Sequence, residues 1–146
     1  MLLLRAREAV MVQFRSMLRE QGLTEQQWRV LRALDASGRL EVSDLAQVTF
    51  LLKPSLSRIL PDLERRDLIS IEPHEADQRR KVVQLAAAGA EMIGLIAPLS
   101  ETIYSRISGR LGARRLSQLQ SLLVDTERRL LVAETGGSEP DEGGTV

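Results

Sequence analysis

Apolar residues recur at helical spacing along most of this chain, and the period shortens in one region, between residues 68 and 85. Leu4, Met11, Phe14 and Leu18 fall on one stripe and predict a first helix over about 2–21, closed by Gly22. Thr24, with Gln27 three residues later, forms a capping-box pair that opens a second helix. Leu31 and Leu34 form its inward face with Trp28 beside them, and Ser37-Gly38 ends it. Leu40-Glu41-Val42 predicts a very short extended piece, after which Ser43 is expected to cap a short helix over about 44–49 that buries Leu45 and Val48. Lys53-Pro54-Ser55 opens the next helix, with Pro54 in the first turn, where a missing N–H does no harm. Leu56, Ile59, Leu60 and Leu63 line its inner face as far as about Arg66.

The period then changes. Leu68, Ile69 and Ile71 predict one strand, residues 73–78 a polar turn, and 80–85 a second strand in which Val83 and Leu85 alternate with Lys81 and Gln84. From about Ala87 the helical period returns through Met92, Ile96, Leu99, Ile103, Ile107 and Leu111, with a bend expected at Pro98 and an end at Gly109 and Gly112. A last helix over about 113–133 carries Leu116, Leu119, Leu123 and Leu130 on one side. The fold class is therefore mainly α with a small β wing: a winged helix-turn-helix with N- and C-terminal dimerisation helices. A single domain over 1–133 is expected, with a nucleic-acid-binding lobe at about 24–86 and dimerisation helices at 1–21 and 87–133. The long end helices present more apolar surface than so small a lobe can cover, which predicts a second copy of the chain. Residues 134–146, rich in Gly and acidic side chains, are expected to form a disordered tail.

The charge balance changes this picture only through its distribution. The chain has 20 basic and 20 acidic residues, but Glu134, Glu139, Asp141 and Glu142 all lie in the tail, leaving 20 basic against 16 acidic in the ordered part. All the basic residues except Lys53 and Lys81 are Arg, whose planar fork suits phosphates and base edges. With no Cys, disulfides, thiolate nucleophiles and Cys-ligated zinc are excluded, and one His (His74) cannot build a His-rich metal site. No cofactor is expected, and no Gly-rich phosphate loop or Ser/His/Asp set points to an enzyme. There is no apolar run of membrane-spanning length, and Met1 to Leu4 is too short for a signal-peptide core, so a cytoplasmic protein is expected.

Function concentrates in residues 43–66 and the hairpin after them. Ser55, Ser57, Arg58 and Arg65 lie off the Leu/Ile stripe, so the second helix of the pair can enter a major groove while its hydroxyls and first-turn amides hold phosphate. The hairpin carries Arg79, Arg80 and Lys81 in a row, as a basic wing that reaches a minor groove. Ser43, Lys53, Pro54 and Asp77 complete the candidate DNA-binding set.

These residues resemble the MarR family of bacterial transcription regulators over about residues 3–133. The resemblance is carried by Gly22-Leu23-Thr24 with Gln27, Asp44-Leu45-Ala46, Ser55 to Arg58, Leu63-Glu64-Arg65-Arg66-Asp67-Leu68-Ile69, the Asp-x-Arg wing motif Asp77-Gln78-Arg79, and Leu85 to Gly89. Within the family the chain is most similar to regulators of hydroxyphenylacetate and homoprotocatechuate breakdown operons. Ala6-Arg7-Glu8-Ala9, Phe14-Arg15, Thr24-Glu25-Gln26-Gln27-Trp28-Arg29 and Pro54-Ser55-Leu56 carry that closer likeness. The resemblance implies a homodimer on double-stranded DNA at an inverted-repeat operator, and a repressor released by a small phenolic carboxylic acid. Three positions depart from the family pattern: Asp67 where Gly is usual, Ala86 where Thr is usual, and Pro61 inside the recognition helix, where a bend or loosened turn is expected.

An anionic phenolic acid needs an Arg for its carboxylate and an apolar or aromatic wall for its ring. Arg7, Met11 and Arg15 on the first helix and Trp28 on the second are the candidate ligand residues, with the choice between the two Args open. The alternative makes Trp28 a core residue and the Args interhelical ion-pair partners. Two other functions also stay open at this point: a winged-helix DNA-binding protein with no effector, and a helical interaction protein that binds no DNA.

Overall fold

A computed structural model describes residues 1–135, ordered as helices α1 (Leu2–Glu20) and α2 (Glu25–Ser37), strand β1 (Leu40–Glu41), helices α3 (Val42–Thr49) and α4 (Lys53–Arg65), strands β2 (Ile69–His74) and β3 (Asp77–Leu85), and helices α5 (Ala87–Leu111) and α6 (Ala113–Thr135). The expected tail at 134–146 falls almost wholly outside the described residues, since α6 continues to Thr135. The chain divides into two compact units, Met1–Tyr104 and Ser105–Val146.

In the first unit, local signals set the helix ends. After α1, the Leu23 amide donates to the Leu18 carbonyl (2.9 Å) and the Gly22 amide to Arg19 (3.0 Å), a Schellman closure with Gly22 at φ +66°. At the start of α2, the Gln27 amide donates to the Thr24 hydroxyl (3.1 Å) and the Thr24 amide to the Gln27 side chain (2.9 Å), which is the capping box in full. Gln27 also donates to the Asp62 carboxylate at 2.7 Å, tying α2 to α4 from a buried position.

The sheet is antiparallel in the order β1-β3-β2, with Leu40 opposite Val83 and Ile71 opposite Val83 on the other side. Its inner residues Ile69, Val82 and Val83 join Leu18, Leu31, Leu34, Leu45, Leu56, Leu63 and Ile96 in the core. Each fully buried Leu or Ile of this kind contributes roughly 1.5–3 kcal/mol over an exposed one.

Several expectations are corrected. Ser43 does not cap α3: the helix begins at Val42 with Glu41 before it, and no side chain bonds its first amides. Val48 is half exposed, and Thr49 is the inward partner of Leu45, because one face of so short a helix is set by the i, i+4 pair. The wing strands extend to His74 and from Asp77, so the tip is Glu75-Ala76 rather than 73–78. Both faces of that outer hairpin are exposed, so its backbone pairs without leaving a two-residue period in the sequence. Apart from these corrections, Pro61 lies within α4, which continues as helix to Arg65, and Pro61 is exposed. α5 likewise runs through Pro98, and its buried residues are Gly89, Ile93, Ile96, Ser100 and Ile103, so Ile96 and Ile103 of the expected stripe face inward whereas Met92, Leu99, Ile107 and Leu111 are not buried. Asp67 keeps the left-handed conformation despite not being Gly, at φ +55°.

In the second unit, none of the α6 side chains described is buried, and Leu119, Leu122, Leu123 and Leu130 are all exposed. In the first unit, Leu2, Leu3 and Leu4 at the start of α1 are exposed as well. Among the described residues, no helix is long and apolar enough to cross a membrane.

Candidate functional site

Helices α3 and α4 are joined by Phe50, Leu51 and Leu52, and the wing follows α4 after a second left-handed turn at Asp67. On α4 the Leu/Ile face is buried, which leaves Ser57 and Arg58 exposed on the opposite side. Lys53 and Pro54 are exposed at its start, and Ser55 is half buried at the edge of the stripe rather than outside it. The Ser57 hydroxyl donates to the Lys53 carbonyl at 3.0 Å. Arg65 is exposed and pairs with Asp62, so it is committed within its own helix. Ser43 is exposed in the first turn of α3.

The three basic wing residues are not equivalent. Arg80 makes a two-point pair with Glu41, with its Nε 2.8 Å from the carboxylate, and His74 Nε2 lies 3.5 Å from the same group. Glu41 precedes α3, so this pair braces the wing against the helix-turn-helix. Arg79 and Lys81 are exposed, and among the described residues neither has a carboxylate within ion-pair reach. The Asp77 carboxylate accepts from the Arg79 amide at 3.0 Å and so shapes the hairpin tip. Lys53, Arg58, Arg79 and Lys81 are thus the cations of the set left available to a polyanion.

A cavity of about 390 Å³ is lined by α1, α2, the end of α3 and one residue of α5. α1 supplies Arg7, Val10, Met11 and Phe14; α2 supplies Glu25, Trp28, Arg29 and Arg32; Val48, Thr49 and Phe50 come from the end of α3, and Tyr104 from α5. Phe14 and Tyr104 pack with ring centroids 4.9 Å apart and planes at 58°. The lining has three Args against one Glu, so it favours an anion. Those cations differ in commitment. Arg7 is paired with Glu25, and Arg29 bonds both Glu25 and the Thr49 carbonyl at 3.1 Å. Among the described residues Arg32 has one carboxylate in reach, Asp35 at 3.6 Å, and its guanidinium carbon stands 5.8 Å from the centre of the Trp28 ring.

The structure therefore brings Arg7, Met11 and Trp28 to one cavity and leaves Arg15 outside it. Arg15 makes a two-point pair with Glu8 and lies 3.8 Å from Glu25. Its hydrogen bond holds the Glu8 carboxyl below the usual carboxylate range, and the same bond raises Arg15. Trp28 is partly buried in the cavity wall, and the alternative reading of the Args holds in part, since Arg7 and Arg15 of α1 both lie against Glu25 of α2. Sequence reasoning missed Arg32, Val48, Phe50 and Tyr104. The i, i+4 spacing of Trp28 and Arg32 was the available signal for Arg32; Phe50 and Tyr104 reach the cavity only through the tertiary fold.

Known proteins share this architecture. Residues 21–80 match the MarR family model. The HTH-type transcriptional regulator FarR of Neisseria gonorrhoeae is 37% identical over 123 residues, 84% of each chain. The homoprotocatechuate degradative operon repressor of Escherichia coli is 36% identical over 123 residues, covering 84% of this chain and 83% of that one. A crystal structure of NadR in complex with 4-hydroxyphenylacetate superposes with a TM-score of 0.82 at 32% identity, over 90% of this chain and 96% of that one. On the strength of relatives that match over most of both chains, and of the shared winged helix-turn-helix, the chain belongs to the MarR family of transcription regulators.

Proposed function

We propose that the protein is a homodimeric, sequence-specific DNA-binding repressor whose grip on an inverted-repeat operator is released by a small phenolic carboxylic acid. The observation that carries the effector reading is the cavity beside α2, in which Arg32 stands over Trp28 beside the apolar and aromatic side chains Val10, Met11, Phe14, Val48, Phe50 and Tyr104, while the other lining cations, Arg7 and Arg29, are held by Glu25. A carboxylate gains two parallel hydrogen bonds from such an Arg, and the ring of the acid gains the Trp28 face and the Met11 side chain. Arg32 therefore replaces Arg15 as the proposed carboxylate partner, with Arg7 held to Glu25 at the rim. Relatives support the chemistry: one is a homoprotocatechuate operon repressor and another is crystallised with 4-hydroxyphenylacetate.

On the DNA side, Ser57 and Arg58 read base edges in the major groove, Lys53 and the first turn of α4 hold phosphate, and Arg79 and Lys81 on the wing meet the backbone or minor groove. Two recognition helices related by a twofold axis require half-sites about one helical turn apart, roughly 10 bp. The exposed leucines of α1 and α6 are the surfaces that a second copy would cover. Trp28 is the one Trp in the chain, so its fluorescence reports on the cavity alone. The test titrates 4-hydroxyphenylacetate and 3,4-dihydroxyphenylacetate into wild type and Arg32→Met, and follows a duplex selected from a random library by anisotropy. Saturable Trp28 quenching with release of the duplex, both lost in Arg32→Met, is expected. Tight duplex binding with no response to either acid would leave a DNA-binding protein without this effector.

A further inference from the structure

The wall of the cavity and the turn ahead of the recognition helix are the same piece of chain. Phe50 lines the cavity, is 81% exposed, and holds φ +53°, a left-handed conformation that side chains with a Cβ rarely adopt. It stands where α3 closes: the Phe50 amide donates to Gln47 and the Leu51 amide to Ala46, both at 3.3 Å. Only Leu51 and Leu52 separate it from α4.

One side chain from α2 fastens this turn. The Arg29 guanidinium donates to the Thr49 carbonyl at 3.1 Å, and Thr49 itself is fully buried with its hydroxyl bonded to Leu45. The Thr49 carbonyl is one of the last of α3 and has no partner within its helix, so Arg29 supplies both the donor and a cation at the negative end of that helix. The second branch of Arg29 goes to Glu25, which also pairs with Arg7. Every group that holds Arg29 in place therefore lines the cavity.

We propose that Arg29 is a positioning residue that couples the cavity to the recognition helix. It keeps the Phe50 turn in its left-handed form, and an anion in the cavity draws the guanidinium away from the Thr49 carbonyl, so that the turn relaxes and α4 is re-aimed. The proposal rests on the anionic-effector reading for its trigger, whereas the tether itself stands on the Arg29–Thr49 bond.

The experiment has two arms. Amide exchange, measured with no acid present, compares wild type with Arg29→Met and Arg29→Lys. Loss of the tether should speed exchange at Phe50 and Leu51 by about tenfold or more in Arg29→Met, with a smaller rise in Arg29→Lys, because local opening limits exchange there. Unchanged exchange in Arg29→Met would overturn the tether whether or not any acid binds. The second arm measures duplex affinity with and without saturating 4-hydroxyphenylacetate. An allosteric factor of about 5- to 150-fold is the usual range for such coupling. In Arg29→Met that factor should fall to within about twofold of unity, while acid affinity read by Trp28 fluorescence stays within roughly threefold of wild type. Full coupling in this variant would overturn the proposal. So would complete loss of acid binding, because Arg29 would then hold the carboxylate in place of Arg32 rather than be drawn toward it. Phe50→Gly removes the left-handed strain without touching Arg29 and should likewise lower the factor; undiminished coupling there would also count against the proposal. A wild type that binds neither acid sinks the effector reading alone and leaves the exchange arm to decide the tether.

Discussion

Two glycines in the first half of α5 should respond to the same substitution with opposite signs. A Cβ on Gly89 would lie 2.0 Å from the Leu68 carbonyl oxygen, 3.0 Å from its carbon and 3.2 Å from Leu85 Cδ2. A Cβ on Gly94 would meet nothing within 4 Å. The Leu68 oxygen cannot swing aside cheaply, because it accepts the Ala86 amide at 3.1 Å and so fixes the start of α5 against β2. Relief requires the backbone of α5 or of the Leu68 segment to move by about 1 Å, and forced overpacking of that kind costs about 1–3 kcal/mol, here toward the upper end because the obstacle is backbone. Gly94→Ala instead gains the helix preference of Ala over Gly, about 1 kcal/mol. The two variants should therefore differ by about 3–4 kcal/mol, a large share of the roughly 5–15 kcal/mol that holds a typical domain. Urea unfolding followed by far-UV circular dichroism measures both, with equal slopes as the check that only stability changed. Gly89→Ala within about 0.5 kcal/mol of wild type, the range usual for a neutral surface change, would refute the close approach of α5 to Leu68.

Three more outcomes follow from the geometry of the wing and the helices, and one from an ion pair. Arg79→Ala should weaken duplex binding and reduce the log–log salt slope by about one, because one phosphate is no longer neutralised. Replacing Glu41 and Arg80 together by Gln keeps the net charge, so duplex binding should weaken through a loosened wing while the slope stays at its wild-type value; a slope lowered as in Arg79→Ala would make Arg80 a phosphate partner rather than a brace. Leu119→Glu with Leu123→Glu should lower the light-scattering mass from about twice 16.3 kDa to about that of one chain, and an unchanged mass would put the dimer surface elsewhere. The Glu8 carboxyl is held low by Arg15, so the pair stabilises the fold above the ordinary carboxylate pKa, and its contribution fades as pH falls through the lowered folded value. Glu8→Gln should therefore flatten the acid limb of the stability curve slightly, since both groups are solvent-exposed, and an unchanged acid limb would show the pair contributes nothing.

The elements legible in the sequence were those with a strong local signal. Thr24 and Gln27 form the capping box that their spacing implies, and Gly22 takes the left-handed position after α1. The Leu56–Ile59–Leu60–Leu63 stripe told the inner face of α4 from the outer, and with it the exposure of Ser57 and Arg58. Reading failed where two environments share one pattern. Val48 has the spacing of a core residue from Leu45 but faces a cavity, and α5 is apolar on more than one side, so its periodicity found the buried Ile96 and Ile103 but not Ile93 and Ser100. Arg7 and Arg15 lie eight residues apart on one side of α1, yet only Arg7 reaches the cavity, because Glu8 holds Arg15 elsewhere. Phe50 had no signal at all: nothing in a Thr-Phe-Leu run announces a left-handed turn, and its role arises from packing across the fold.

The central claim is that one chain binds DNA and a phenolic acid in opposition, and thermodynamic linkage tests it whatever structural route connects the two sites. The measurement is the affinity for 4-hydroxyphenylacetate, read from Trp28, with and without saturating selected duplex, beside the affinity for that duplex with and without saturating acid, all at one salt concentration. The account predicts that duplex weakens the acid by the same factor, about 5- to 150-fold, by which the acid weakens the duplex. Equal acid affinity for the free and the DNA-bound protein would contradict it.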